Sequence, residues 1–254
     1  MTGLLEGKNV VITGAGSGIG RSAALVLAGH GASLLLADID NGTCQDTADL
    51  VTARGGTARA VRADVSRADD VRDMVEAAVS TYGRLDGAFN NAGIDGAFES
   101  VADSTQENWD RVISVNLQGV WLCLRAELRA MLATGGGAIV NNSSIGGLVG
   151  MGLGLSAYVA AKHGVVGLTR AAALEYATKG IRVNAVCPGT VRTGMYDQVV
   201  ATGVVTEAEI AAMQPINRSA RPEEIAESVA WMLSDRASFV TGQALAVDGG
   251  LVAQ

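Results

Sequence analysis

The chain has 254 residues, 48% of them hydrophobic and only 18% charged, which is enough apolar material for one large α/β domain or two small ones and too little charge for a disordered chain. Its 33 glycines follow no triplet period, so a collagen-like rod is excluded. A formal charge of −7 argues against a surface that neutralises nucleic-acid phosphates or docks on an anionic membrane.

Short apolar and β-branched runs alternate with stretches of helical period. The expected strands are Asn9–Thr13, Ser33–Asp38, Thr57–Ala63, Leu85–Asn90, Ala138–Ser143, Arg182–Cys187 and Ala244–Val247, with helices near 19–29, 42–54, 67–82, 105–133, 157–178 and 222–233. Runs such as VVIT and LLLA are apolar without alternation, as strands are when helices cover both faces of a parallel sheet. No linker, repeat or charge block divides the chain, so residues 1–254 read as a single domain. Two stretches break the rhythm: the glycine-rich, apolar 146–155, and 190–221, which carries only a short helical patch near Glu207–Met213. Long connections at the carboxyl ends of parallel strands are where such sheets bind ligands, so 190–221 is expected to be a substrate lid.

Cys44, Cys123 and Cys187 are far apart in sequence and lack C-x-x-C spacing, which suits a reducing compartment. No basic segment followed by a long apolar one opens the chain, and no run reaches about 18 apolar residues, so a cytoplasmic location is expected. His30 and His163 have no partners at metal-ligand spacing, and no metal site is expected.

The first strand runs into Thr13-Gly14-Ala15-Gly16-Ser17-Gly18-Ile19-Gly20 and then a helix. Glycines there let the backbone approach a pyrophosphate and aim a helix N-terminus at it. The spacing is G-x-x-x-G-x-G through Gly14, Gly18 and Gly20, not G-x-G-x-x-G. Strand two ends in Asp38, where a carboxylate accepts from both adenosine ribose hydroxyls and repels a 2′-phosphate. No Lys or Arg occurs at 15–19 or 37–41 to receive that phosphate, so NAD is expected over NADP. Tyr158 has Lys162 four residues on, one turn away on the same helix face. An ammonium beside a phenol favours phenolate, lowering a pKa that is about 10 when unperturbed.

The ordered set TGAGSGIG, Asn90-Asn91-Ala92-Gly93, Asn116, Ser143-Ser144, Tyr158-x-x-x-Lys162 and Pro188-Gly189 spans essentially the whole chain and resembles the short-chain dehydrogenase/reductase family. The resemblance implies a Rossmann-like, doubly wound, seven-stranded parallel sheet and alcohol–ketone interconversion by hydride transfer. Tyr158 would be the general acid/base, Ser144 would hold the substrate oxygen, and Lys162 would tune Tyr158 and hold the nicotinamide ribose. Asn116 would distort its helix and hold a water in a proton relay. Ser144 stands one residue further from Tyr158 than is common in the family, so Ser143 stays as the lesser candidate.

For the coenzyme, the resemblance implies contacts from Gly14, Ser17, Gly18, Ile19, Gly20, Asp38 and Ile39 and from Asp64 and Val65 around adenine. Asn91, Ala92 and Gly93 would brace the central strand, and Pro188, Gly189, Val191 and Thr193 would hold the carboxamide so that the B face meets the substrate. The pocket wall is expected from Asp95, Gly146, Met151, Leu153, Met195 and Tyr196, or else the apolar lid residues are ordinary helix packing. Few charges there point to a neutral secondary alcohol or ketone, cyclic, aromatic or steroid-like. The alternatives are an NADPH-dependent 3-oxoacyl-carrier-protein reductase and a dinucleotide-sensing regulator without chemistry. The tail 239–250 resembles the segment that packs across a two-fold axis in family tetramers, so a homotetramer is expected, with a monomer's edge strand as the other reading.

Overall fold

The structure, a computed structural model, describes residues 3–253 apart from 202 and 204. In chain order the elements are β1 (Asn9–Thr13), α1 (Gly18–Gly29), β2 (Ser33–Asp38), α2 (Asn41–Ala53), β3 (Thr57–Arg62), α3 (Ala68–Tyr82) and β4 (Gly87–Asn90). There follow α4 (Gln106–Ile113), α5 (Gly119–Thr134), β5 (Gly137–Asn142), α6 (Ser156–Tyr176), β6 (Ile181–Pro188), α7 (Gly194–Ala201), α8 (Glu207–Ala212), α9 (Pro222–Leu233) and β7 (Ala244–Val247).

Among the described residues the strands form one parallel seven-stranded sheet in the order β3-β2-β1-β4-β5-β6-β7. Successive residues of each strand feed opposite faces. Val10, Ile12, Leu34 and Leu36 pack with Leu27 of α1, Val51 of α2 and Ile225 and Val229 of α9. Val11, Leu35, Ala88, Ile139 and Val183 pack with Met74 of α3, Leu124 and Met131 of α5 and Val165 of α6. Both faces of the sheet are thus apolar, which is why β1 and β2 carry no polar alternation. The chain winds outward from β1 to β3 and then returns to β4 on the other side of β1. That reversal opens a crevice at the carboxyl ends of β1 and β4, the switch point where such sheets bind ligands.

Strand limits differ from expectation by two residues at most, as hydrogen-bond criteria trim or extend the ends. Two helical expectations change more. The stretch expected as one helix over 105–133 is α4 and α5 joined by a π-turn at Ser114–Gln118, and a full helix, α7, occupies part of the region expected to be irregular.

Candidate active site

The coenzyme side of the crevice is made largely of backbone. Beyond β1 the chain turns through Gly14 and Gly18 with φ of 63° and 50°, left-handed values that favour glycine. A Cβ at Gly20 would overlap the Gly14 carbonyl oxygen, and one at Gly14 would stand 2.8 Å from Ala92 Cα, so helix, turn and the segment after β4 close tightly around the Asn91 amide. Ser17 is the N-cap of α1, yet its side chain makes no capping hydrogen bond. The first-turn amides of α1, Ile19 and Gly20 included, therefore keep donors and dipole for an anion.

Asp38 braces this turn: Oδ2 accepts from Gly16 N at 2.9 Å and Oδ1 from Asp40 N at 3.0 Å. Arg21 is occupied beneath it, donating to Gly16 O, Thr43 O and Thr47 Oγ1. Ile39 is exposed beside Asp38. Asp64 Oδ1 accepts from both N and Oγ of Ser66, and the buried Val65 lies against Gly119, where a Cβ would stand 2.9 Å from Val65 Cγ2. The Asn91 side chain is committed internally: Nδ2 donates to Thr13 O and Gly14 O, and Oδ1 accepts from Asn142. The Thr13 hydroxyl accepts from Asn91 N and Ala92 N. From the far side, Gly189 lies against Asp248, Val191 bridges to Ala220, and Thr193 Cγ2 would stand 3.3 Å from a Cβ at Gly18. This segment, which follows Pro188, thus closes on the glycine turn. Left-handed glycines, an uncapped helix N-terminus and a strand-end carboxylate together fit a dinucleotide.

The groups expected to react lie on α6 and on the segment that leaves β5. The Asn116 side chain clasps the loop after β4: Nδ2 donates to Ile94 O at 2.7 Å and Oδ1 accepts from Ile94 N at 2.8 Å. The helix widens there, and Gly119 N reaches Ser114 O five residues back. Ser143 Oγ donates to Lys162 O at 2.9 Å, so its hydroxyl belongs to the frame. Ser144 Oγ accepts from Gly146 N at 3.1 Å and lies near enough to the Tyr158 phenol to favour its ionised form. Lys162 Nζ donates to Asn142 O at 2.8 Å, sits 5.4 Å from the centre of the Tyr158 ring, and would be 3.5 Å from a Cβ at Gly93. Burial pulls the ammonium down to about 8, with the Asp95 charge opposing.

Burial pushes the Tyr158 phenol up to about 12, with the Ser144 hydroxyl pulling it back and the Asp95 charge adding to the rise. This direction is opposite to the acidified phenol expected from the Tyr-x-x-x-Lys spacing. The reason is physical: the ammonium lies over the ring and is spent on a carbonyl, while desolvation acts on the phenol directly.

On the substrate side, Met151 Sδ would stand 2.7 Å and Ser144 Oγ 3.6 Å from a Cβ at Gly146, so both lie against this glycine. Leu153, Val149 and Phe98 are exposed large apolar residues. Tyr196 is buried, and its hydroxyl has no partner among the described residues. Arg192 pairs with Glu207 at 3.4 Å. The Met195 side chain lies outside the described residues.

The family described as Enoyl-(Acyl carrier protein) reductase matches residues 14–252. A cyclohexanol dehydrogenase of Acinetobacter sp. (strain SE19) is 49% identical over 249 residues, covering 98% of this chain and 96% of the relative. The crystal structure of levodione reductase superposes with a TM-score of 0.94 at 40% identity, covering 98% and 99% of the two chains. The chain belongs to the short-chain dehydrogenase/reductase family. It is an NAD(P)-using oxidoreductase that interconverts secondary alcohols and ketones, as its relatives do. A third neighbour, described as a putative NAD(P) dependent gluconate 5-dehydrogenase from Beutenbergia cavernae, holds NADP at low occupancy, with a TM-score of 0.92 and 40% identity over 98% of each chain.

Within this dehydrogenase/reductase chain the structure brings Ser144, Tyr158 and Lys162 together and ties Asn116 to the neighbouring loop. It also uncovers supports that sequence reasoning missed. Asn142 serves Lys162 through its carbonyl, for which any residue type would do and no signal exists. Asn108 pins Ala97 N at 2.9 Å from an ordinary helical position. Among the described residues no helix is long and apolar enough to cross a membrane.

Proposed function

We propose that the chain is an NAD-dependent dehydrogenase of neutral, ring-bearing secondary alcohols, with Tyr158 as general acid/base. The observation that carries the reading is the convergence of the Ser144 hydroxyl, the Tyr158 phenol and the Lys162 ammonium at the mouth of the glycine-turn crevice. Ser144 would hold the substrate oxygen and Tyr158 would take its proton during oxidation or return it during reduction. The dinucleotide, when bound, supplies the hydride acceptor, and its cationic ring adds the charge that draws the phenol down from about 12. Lys162, fixed by Asn142 O, would hold the nicotinamide ribose and keep positive charge on the tyrosine face. Asn116 would position this machinery through Ile94 and supply, at its widened turn, the water of a proton relay.

NAD is favoured because the Asp38 carboxylate, anchored on Gly16 N, would meet the adenosine ribose, and the nearest cation, Arg21, is spent on backbone and Thr47. Gly14, Ser17, Gly18, Ile19 and Gly20 would seat the pyrophosphate, while Ile39, Asp64 and Val65 would flank adenine. Gly93, Pro188, Gly189, Val191 and Thr193 would line the nicotinamide, with Asn91 and Ala92 behind them as the brace. Residues 190–221 would be the lid, and Gly146, Met151, Leu153, Met195 and Tyr196 would face the substrate. Relatives named for cyclohexanol and levodione favour a ring. Exposed Trp109, Trp121 and Leu132 on α4 and α5, together with exposed Phe239, support a homotetramer, and three unpaired buried thiols suit a cytoplasmic setting.

Initial rates on a panel of cyclic secondary alcohols with NAD and with NADP test the reading. A kcat/KM preference for NAD of at least about tenfold is expected, equivalent to about 1.4 kcal/mol. Preference for NADPH with 3-oxoacyl-carrier-protein substrates would instead support the carrier-protein reductase reading.

A further inference from the structure

The end of β5 carries a side chain that hydride transfer does not use. Asn142 closes the strand, and its main-chain carbonyl accepts from Lys162 Nζ at 2.8 Å, a contact open to any residue type. Its side chain has another partner. Nδ2 donates to Asn91 Oδ1 at 3.0 Å, and Asn91 Nδ2 donates in turn to Thr13 O at 3.0 Å and to Gly14 O at 3.1 Å. Among the described residues no other donor reaches Asn91 Oδ1.

The other end of the same amide is left over. Asn142 Oδ1 is buried and has no partner among the described residues. A buried acceptor without a donor lowers stability, whereas an apolar side chain of similar size has no such penalty. Val and Ile suit a covered parallel strand better than Asn does. An amide kept there despite that penalty points to a use for its donor, since such departures from local rules gather at functional sites.

Where Asn91 sits defines that use. A Cβ at Gly14 or at Gly20 would stand 3.0 or 2.7 Å from Asn91 Nδ2, so the amide is packed between the turn and the start of α1. Holding back the Thr13 and Gly14 carbonyls leaves the N–H groups of the turn and of the first turn of α1 for an anion. The two ends of an amide are almost the same size, so its direction follows its partners. With the Asn91 oxygen turned toward Thr13 O and Gly14 O, acceptors alone would meet and the turn would be pushed apart. A donor at position 142 secures the opposite direction. We propose that Asn142 is a positioning residue for the coenzyme: its amide orients Asn91, which holds the glycine turn in the form that receives the pyrophosphate. It does so while lowering the stability of the coenzyme-free protein. This rests on the reading of the turn as the dinucleotide seat, and the Asn142 side chain acts through Asn91 and takes no part in bond making.

The test uses Asn142→Val and Asn142→Leu, which remove both polar ends with little change of volume. Two quantities are read: NAD affinity by calorimetry, and thermal unfolding of the coenzyme-free protein. Each variant is expected to bind NAD about 3- to 10-fold more weakly, the worth of one hydrogen bond. Each should also unfold no more than about 2 °C below wild type, because the orphaned oxygen leaves with the amide. In an Asn91→Ala background, Asn142→Val should add no further loss of affinity, since the amide it orients is gone. A weakening of less than about threefold in both variants overturns the proposal. A fall in unfolding temperature beyond about 2 °C, or failure of both variants to fold, also overturns it, because Asn142 would then be a structural residue. A further loss in the Asn91→Ala background overturns it as well, since Asn142 would then reach the coenzyme by another route, such as Lys162. If the wild-type protein binds no dinucleotide, the reading of the turn fails and takes the proposal with it; NAD binding that is indifferent to position 142 defeats the proposal alone.

Discussion

The two sides of the crevice are built on opposite plans. On the coenzyme side the polar side chains face inward to the frame: Asp38 holds Gly16 N, Asn91 holds Thr13 O and Gly14 O, and Thr13 holds two amides of the β4 loop. What remains for a pyrophosphate is backbone and a helix N-terminus. On the substrate side the backbone is fastened by others, and hydroxyls remain for a ligand: those of Ser144 and Tyr158, and that of Tyr196, which has no partner among the described residues. A coenzyme common to many enzymes can be met by main-chain geometry, whereas a particular substrate needs particular side chains. The difference locates generality and specificity on separate walls of one cleft.

Variants on the two sides should therefore fail in different ways. The largest loss below Tyr158 itself is expected from Ser144→Ala, which removes the donor to the developing alkoxide: kcat should fall about 10²–10³-fold with dinucleotide affinity little changed. Loss confined to KM would move Ser144 from chemistry to binding. Gly20→Ala should do the reverse, adding about 1–3 kcal/mol of strain against the Gly14 carbonyl and raising the dinucleotide Kd in calorimetry. Wild-type affinity there would mean that the turn is not the coenzyme seat. Ser143→Ala, which loses only the bond to Lys162 O, should cost about 1 kcal/mol in denaturation and leave kcat within tenfold.

A smaller effect comes from the buried Glu127 beneath the sheet, whose carboxyl accepts from Asn90 Nδ2 at 3.0 Å and is raised by burial from 4.5 to about 7. The folded state holds that proton over the window in which the unfolded chain releases it. Its contribution to stability therefore falls as pH rises from about 4.5 to about 7 and is level above. Thermal melts of Glu127→Gln, which keeps the acceptor, should lose that slope. An unchanged slope would assign it to other groups.

The sheet was legible because buried strands announce themselves: NVVIT and SLLLAD have no other stable home than a covered parallel sheet. The glycine turn and Asp38 stand out in the sequence because the roles proposed for them depend on residue type. The π-turn at Ser114–Gln118 was not, since a shift of hydrogen-bond register leaves no mark on apolar periodicity. Helix α7 was hidden in a stretch read as a loop, where GMYDQVVA is short and weakly patterned. Ser143 and Ser144 differ in the direction of the hydroxyl, which spacing does not encode. The direction of the Tyr158 shift was missed because spacing reports the lysine's proximity and is silent on desolvation.

The central claim is that the Tyr158 oxygen carries the proton that moves with the hydride. Single-turnover oxidation by Tyr158→Phe, followed at the nicotinamide absorbance beside a calorimetric titration with NAD, tests it directly. The account predicts a rate lowered about 10²–10⁴-fold with NAD affinity within a few fold of wild type. A variant that binds NAD normally and oxidises alcohol at the wild-type rate would contradict it.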